Sequence, residues 1–95
     1  MLKSSGDIHN YMSESLSADE AVALSRADLA KKLSMDPDLV DVLVVEPCTW
    51  GDASMGLPEV GMSYAQMVVE GYRVVLRAAG GTFEYRLGGG IMKMR

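Results

Sequence analysis

The apolar positions of the chain keep more than one rhythm. Between residues 17 and 36 they recur at helical spacing: Val22, Ala23, Leu29, Ala30 and Leu33 share one face of a 3.6-residue period, with Asp28, Lys31 and Lys32 elsewhere. The stretch "SADE" at 17–20 is a capping-box pattern in which Ser17 accepts from the Glu20 N–H and Glu20 reaches back to the Ser17 N–H, so a helix begins at Ala18. Arg26 falls inside the apolar stripe. Either its stem is buried under an escaping head, or the helix restarts at Ser25, where "SRAD" offers a second cap. Pro37 disfavours helical geometry in the residue before it, so the helix ends by Asp36.

The rhythm then changes. "LVDVLVVE" at 39–46 is dense in β-branched residues and apolar on both parities, Val40, Val42 and Val44 on one side and Leu39, Leu43 and Val45 on the other. That pattern predicts a strand covered on both faces. "GYRVVLRAAGGTFEYRL" at 71–87 holds two alternating runs around Gly80-Gly81, the composition of a two-residue hairpin turn with φ > 0. The predicted register sets Ala78 against Phe83, Leu76 against Tyr85 and Val74 against Leu87 on one face, and Arg77 against Glu84 on the other. "GGG" at 88–90 reads as a flexible joint and "IMKMR" as a last short edge strand. Residues 1–15, polar and aperiodic, read as a frayed terminus carrying His9, the only histidine. A single domain over 16–95 follows.

Composition narrows the function classes. Thirteen Asp and Glu against nine Lys and Arg give a net charge of -4, which disfavours a phosphate backbone and hence a nucleic-acid partner. No apolar run reaches the length of a membrane span, and the start has no signal-peptide core, so the reading is a cytoplasmic protein with no membrane partner. The single Cys48 cannot form an internal disulfide.

Between the two strand regions lies the chain's most unusual stretch. "EPCTWGDASMGLPEVGMSYAQ" at 46–66 holds the only Cys, the only Trp, two of three Pro and three of ten Gly. Three catalytic readings fail on it. "DASMG" has Asp52 where a nucleophile elbow has its first Gly, and the chain is too short for the large α/β sheet an elbow needs. Cys48 lacks a positioned base. Glu46, Asp52 and Glu59 have no recognised metal-ligand spacing. No enzyme, cofactor or metal is expected. Asp52 and Ser54 suit Asx and Ser turns, and Pro47 and Pro58 stiffen the segment. Trp50, Met55 and Leu57 are then expected to fold back as a lid over the sheet face that the helix leaves bare, or to form a partner surface there.

The run from Asp28 to Leu87 resembles a group of small, mostly uncharacterised bacterial and archaeal domains. It carries their Trp-x-Asp-x-Ser-x-Gly core as Trp50, Asp52, Ser54 and Gly56. Their Gly-x-x-Tyr-x-Gln follows as Gly61, Tyr64 and Gln66, and their Gly-Tyr-Arg strand as Gly71, Tyr72 and Arg73. The resemblance implies a single domain of unknown function, often exported in relatives. Leu57 stands where relatives commonly place Cys before Pro, so a disulfide role in relatives does not carry over.

The expected fold is α+β: one main helix on a three- to four-stranded, mostly antiparallel sheet, with 47–66 as a long ordered connection that is either functional or hides a short helix near "SYAQMVVE". The expected function is a non-enzymatic protein-binding module, or self-association, through that loop. Its binding residues are Trp50, Asp52, Ser54, Met55, Leu57 and Tyr64. Two alternatives stand beside it: a protease-inhibitor-like domain, favoured by a projecting 52–60 segment, and a small-ligand binder with a pocket lined by Trp50, Tyr64 and Tyr72.

Overall fold

The computed structural model describes residues 16–95; His9 and the rest of the polar N-terminal stretch lie outside the described residues. Among the described residues one helix, α1 (Ala18–Leu33), leads through a 3-10 turn (Pro37–Leu39) into four strands: β1 (Asp41–Trp50), β2 (Val69–Ala78), β3 (Gly81–Gly88) and β4 (Ile91–Met94). The strands form one antiparallel sheet in chain order, and the helix packs on it, an α+β fold.

The helix starts where the capping box places it, with both reciprocal bonds made: Glu20 N–H to Ser17 Oγ at 3.1 Å and Ser17 N–H to Glu20 Oε1 at 2.9 Å. It stops at Ser34, whose left-handed backbone lets its N–H reach back to Ala30 O and Lys31 O. There is no restart at Ser25. That side chain is fully buried and returns its hydroxyl to Ala21 O at 2.8 Å, so a polar residue occupies the core face at no cost in unsatisfied groups. The buried face is therefore Ala21, Ser25, Leu29 and Ala30; Ala23, expected on it, is exposed, and Val22 and Leu33 lie at its margins. Arg26 turns its head to donate to Pro37 O at 2.9 Å, tying the helix to the 3-10 turn.

Val40, Val74, Leu76, Ala78, Tyr85 and Leu87 meet that helix face. Tyr85 is fully buried, yet its hydroxyl donates to Asp28 Oδ2 at 2.7 Å, so Asp28 faces the sheet as well. Burial alone would raise the Asp28 carboxyl. Hydrogen bonds from Lys32 and Tyr85, with the charges of Lys32 and Lys31, outweigh it and hold the group below the ordinary aspartate value.

The β1 expectation needs correction. The strand is at the sheet edge and runs on past Pro47 to Trp50, and Val42 and Leu43 remain 38% and 43% exposed. A bulge between Val42 and Val44 swings it out of register with β2, and an edge strand tolerates the missing N–H of Pro47 on its open side.

The hairpin register also differs. The turn residues are Ala79 and Gly80, both with φ > 0 at 51° and 80°, and Gly81 already belongs to β3, opposite Ala78. Leu76 therefore faces Phe83, Val74 faces Tyr85, Tyr72 faces Leu87, and Glu84 faces Val75 instead of Arg77. Sliding the turn by one residue moves each partner by two, which leaves every side chain on its expected face. Gly89 and Gly90, with φ of 57° and 80°, form a second tight turn where a flexible joint was expected. The outermost strand, expected from "IMKMR", is present as β4.

Candidate functional site

The connection between β1 and β2 leaves the sheet at Trp50 and crosses the face opposite the helix. Asp52 starts it as an Asx turn, its Oδ1 accepting from the Ser54 N–H at 2.9 Å and the Ser54 hydroxyl at 2.6 Å. Those bonds, the hydroxyl's first, hold the Asp52 carboxyl below its ordinary value. The turn points Ser54 and Met55 inward; Met55 has no exposed surface and Ser54 only 4%.

Two cations from the sheet then hold the loop by its carbonyls. Arg86 donates through Nη1 to Met55 O at 2.9 Å, and Lys93 through Nζ to Leu57 O at 2.8 Å. Arg86 is aimed by Glu84, whose Oε2 accepts from Arg86 Nε at 2.8 Å and from Arg73 Nε at 2.9 Å; Arg73 Nη1 continues to Glu46 at 3.0 Å. Burial would raise the Glu84 carboxyl, but the hydrogen bonds from Arg86 and Arg73 overcome it and keep it below the ordinary glutamate value. Tyr64 completes the hold. Its hydroxyl takes the Glu59 N–H at 3.0 Å and lies 3.3 Å from Lys93 Nζ, which also sits 4.9 Å from the centre of the Tyr64 ring.

The loop thus lies flat against the sheet from Asp52 to Leu57, and no helix forms near "SYAQMVVE"; residues 63–68 carry neither helix nor strand, and β2 begins at Val69. Of the six residues expected to bind, Ser54 and Met55 are enclosed, Asp52 is engaged by Ser54, and Trp50, Leu57 and Tyr64 are half-buried. Tyr72 packs on the helix side, so it shares no pocket with Trp50 and Tyr64. A shallow cleft of about 230 Å³ opens instead beside Leu16, Pro47, Cys48, Glu70 and Tyr72. Glu46, Asp52 and Glu59 each have a separate partner in Arg73, Ser54 and Lys93. Among the described residues no three His, Cys, Asp or Glu side chains gather in metal-binding geometry.

Sequence reasoning missed the clamp. Its trace was the alternation of Glu84 and Arg86 with buried Tyr85 and Leu87, which put opposite charges two residues apart on one face. It also missed the side chains that do stand free on this connection: Val60, Met62, Met67 and Val68, exposed by 105%, 58%, 52% and 64%. Their trace was the absence of any charge from residue 60 to 69.

Among the described residues no helix is long and apolar enough to cross a membrane. No curated protein and no solved structure matches the chain. A family model does, over residues 22–92, and its description is Domain of unknown function (DUF8738). That match takes in most of the helix, the clamped loop and most of the sheet, and the chain belongs to this family.

Proposed function

We propose that the domain is a non-enzymatic protein-binding module whose contact surface is the second half of the β1–β2 connection. The observation that carries it is the division of labour along that connection. Residues 52–57 are pinned to the sheet through the Met55 and Leu57 carbonyls, while Val60, Met62, Met67 and Val68 hold more than half of their surface in water. Apolar side chains grouped on a segment with fixed ends mark an interaction surface more than a folding need. Trp50, Leu57 and Tyr64 border it, and Asp52, Ser54 and Met55 act as its mount. A packed 52–57 segment lends less to the inhibitor reading, and the separation of Tyr72 from Trp50 and Tyr64 lends less to the ligand pocket. The test is a variant carrying V60S, M62S, M67S and V68S together, compared with the unsubstituted chain as bait in cell extract. The expected result is an unchanged melting temperature with loss of a retained protein; identical retention by both baits overturns the reading.

A further inference from the structure

Eight of the chain's 95 residues are Met, and the fold grades the described ones by their access to solvent. Met55 has no exposed surface, Met35 packs against the core, and Met92 and Met94 on β4 are 36% and 40% exposed. Met62 and Met67 stand furthest out among the described residues, each with more than half of its surface in water. The most exposed thioethers therefore lie beside Val60 and Val68 on the β1–β2 connection, while the enclosed one lies on the part of that connection held by Arg86. A thioether reacts with oxidants without first losing a proton, so access decides which methionine is attacked. Oxidation turns its flexible apolar side chain into a polar sulfoxide.

We propose that Met62 and Met67 are oxidation sites through which hydroperoxides switch off the contact surface of residues 60–68 while leaving the fold intact. The switch rests on the binding reading above and names its regulation. At each site a sulfur lone pair attacks one oxygen of the peroxide. The S–O bond forms as the O–O bond breaks, sulfur is oxidised by two electrons, and the departing hydroxide takes the proton of the transferred oxygen and leaves as water. Two sulfoxides then stand among Val60 and Val68, and a partner closing on the surface has to strip water from them. Neither side chain belongs to the core, so the fold does not register the change. Met55, where a sulfoxide would force a polar group into an enclosed site, is shielded by the hold of Arg86 on Met55 O and of Lys93 on Leu57 O. Loss of the surface and loss of the fold are thereby separated in oxidant dose.

The test treats the full chain with hydrogen peroxide and follows each methionine by peptide mass spectrometry. Met62 and Met67 should each gain one oxygen at least about tenfold faster than Met55, which reacts only when the clamp opens locally. Once both are sulfoxides and Met55 is not, the melting temperature should be unchanged, and the protein retained from cell extract by the untreated chain should be lost. A methionine sulfoxide reductase should restore retention. M62L/M67L, which keeps an apolar surface of similar volume without the two sulfurs, should hold its partner through the same treatment. That variant separates these sites from Met92, Met94 and Cys48, which both chains share. Oxidation of Met55 as fast as Met62 and Met67 overturns the inference. So does undiminished retention by the oxidised chain, no recovery with the reductase, or equal loss from M62L/M67L. The two readings fail separately: a protein lost by the four-serine variant but kept by the oxidised chain preserves the surface and removes the switch. Identical retention by the four-serine variant removes the surface and the switch with it.

Discussion

A Cβ on Gly71 would collide with the carbonyl oxygen of Leu87, and one on Gly88 would come within 2.9 Å of Glu70 O, so the two strands approach at a distance only glycine permits. The glycine of the Gly-Tyr-Arg stretch is thus explained by closeness of backbones. Gly71→Ala should destabilise at the upper end of the roughly 1–3 kcal/mol that overpacking costs, read by urea unfolding. Met55 sits at the opposite extreme, a side chain enclosed on all sides, and Met55→Ala should lose about 2–4 kcal/mol through the cavity it leaves. A midpoint unchanged from the unsubstituted chain would show that Met55 anchors nothing. The sequence marked Trp50 as the anchor because tryptophan has most to gain from burial. The structure gives that place to Met55, since Trp50, as the last residue of edge strand β1, keeps one side open.

The β2–β3 hairpin separates what alternation can tell from what it cannot. Period two assigned Val74, Leu76, Ala78, Phe83, Tyr85 and Leu87 to one face correctly, because any register with the same parity buries the same set. It could not choose between Ala79-Gly80 and Gly80-Gly81, since both offer glycine to a turn and only the second position of the true turn demands it. Gly80→Val should therefore cost about 1–2 kcal/mol, whereas Gly81→Ala, whose new Cβ would meet the Phe83 ring at an ordinary 3.7 Å, should leave stability nearly unchanged. The reverse ranking in thermal melts would restore the other turn. Helix α1 was legible for a different reason: its cap is a local exchange of two hydrogen bonds written in four consecutive residues. The loop clamp was not, because Arg86 and Lys93 find Met55 and Leu57 across 31 and 36 residues of chain.

Across the whole molecule, charge and burial set a window of pH. The carboxyls of Asp28, Asp52 and Glu84 all ionise more readily folded than unfolded, so their stabilisation is complete above the ordinary carboxylate range and is lost as pH falls through their lowered values. Burial, with the Asp28 acceptor beside it, pushes the Tyr85 hydroxyl well up. Its neutral form is favoured in the fold, and stability declines as pH rises past about 10, where the unfolded tyrosine ionises. Urea midpoints should be flat near neutrality and fall on both sides, and Tyr85→Phe should remove much of the alkaline fall. A midpoint that holds constant down to pH 3 would contradict the acid limb.

Because the strands lie in chain order, each pairing joins neighbours in sequence, and two of the three are closed by turns of two residues. The third must close the 18 residues from 51 to 68, which by chain statistics is about 2 kcal/mol more costly in entropy than a two-residue turn. Folding should then begin with the β2–β3–β4 hairpins, and docking of β1 with its loop should follow the rate-limiting barrier. In stopped-flow measurements, Gly80 substitutions should slow refolding, while Met55→Ala should act almost wholly by speeding unfolding. The lifetime of the folded chain is therefore governed by how long the Arg86 and Lys93 clamp holds.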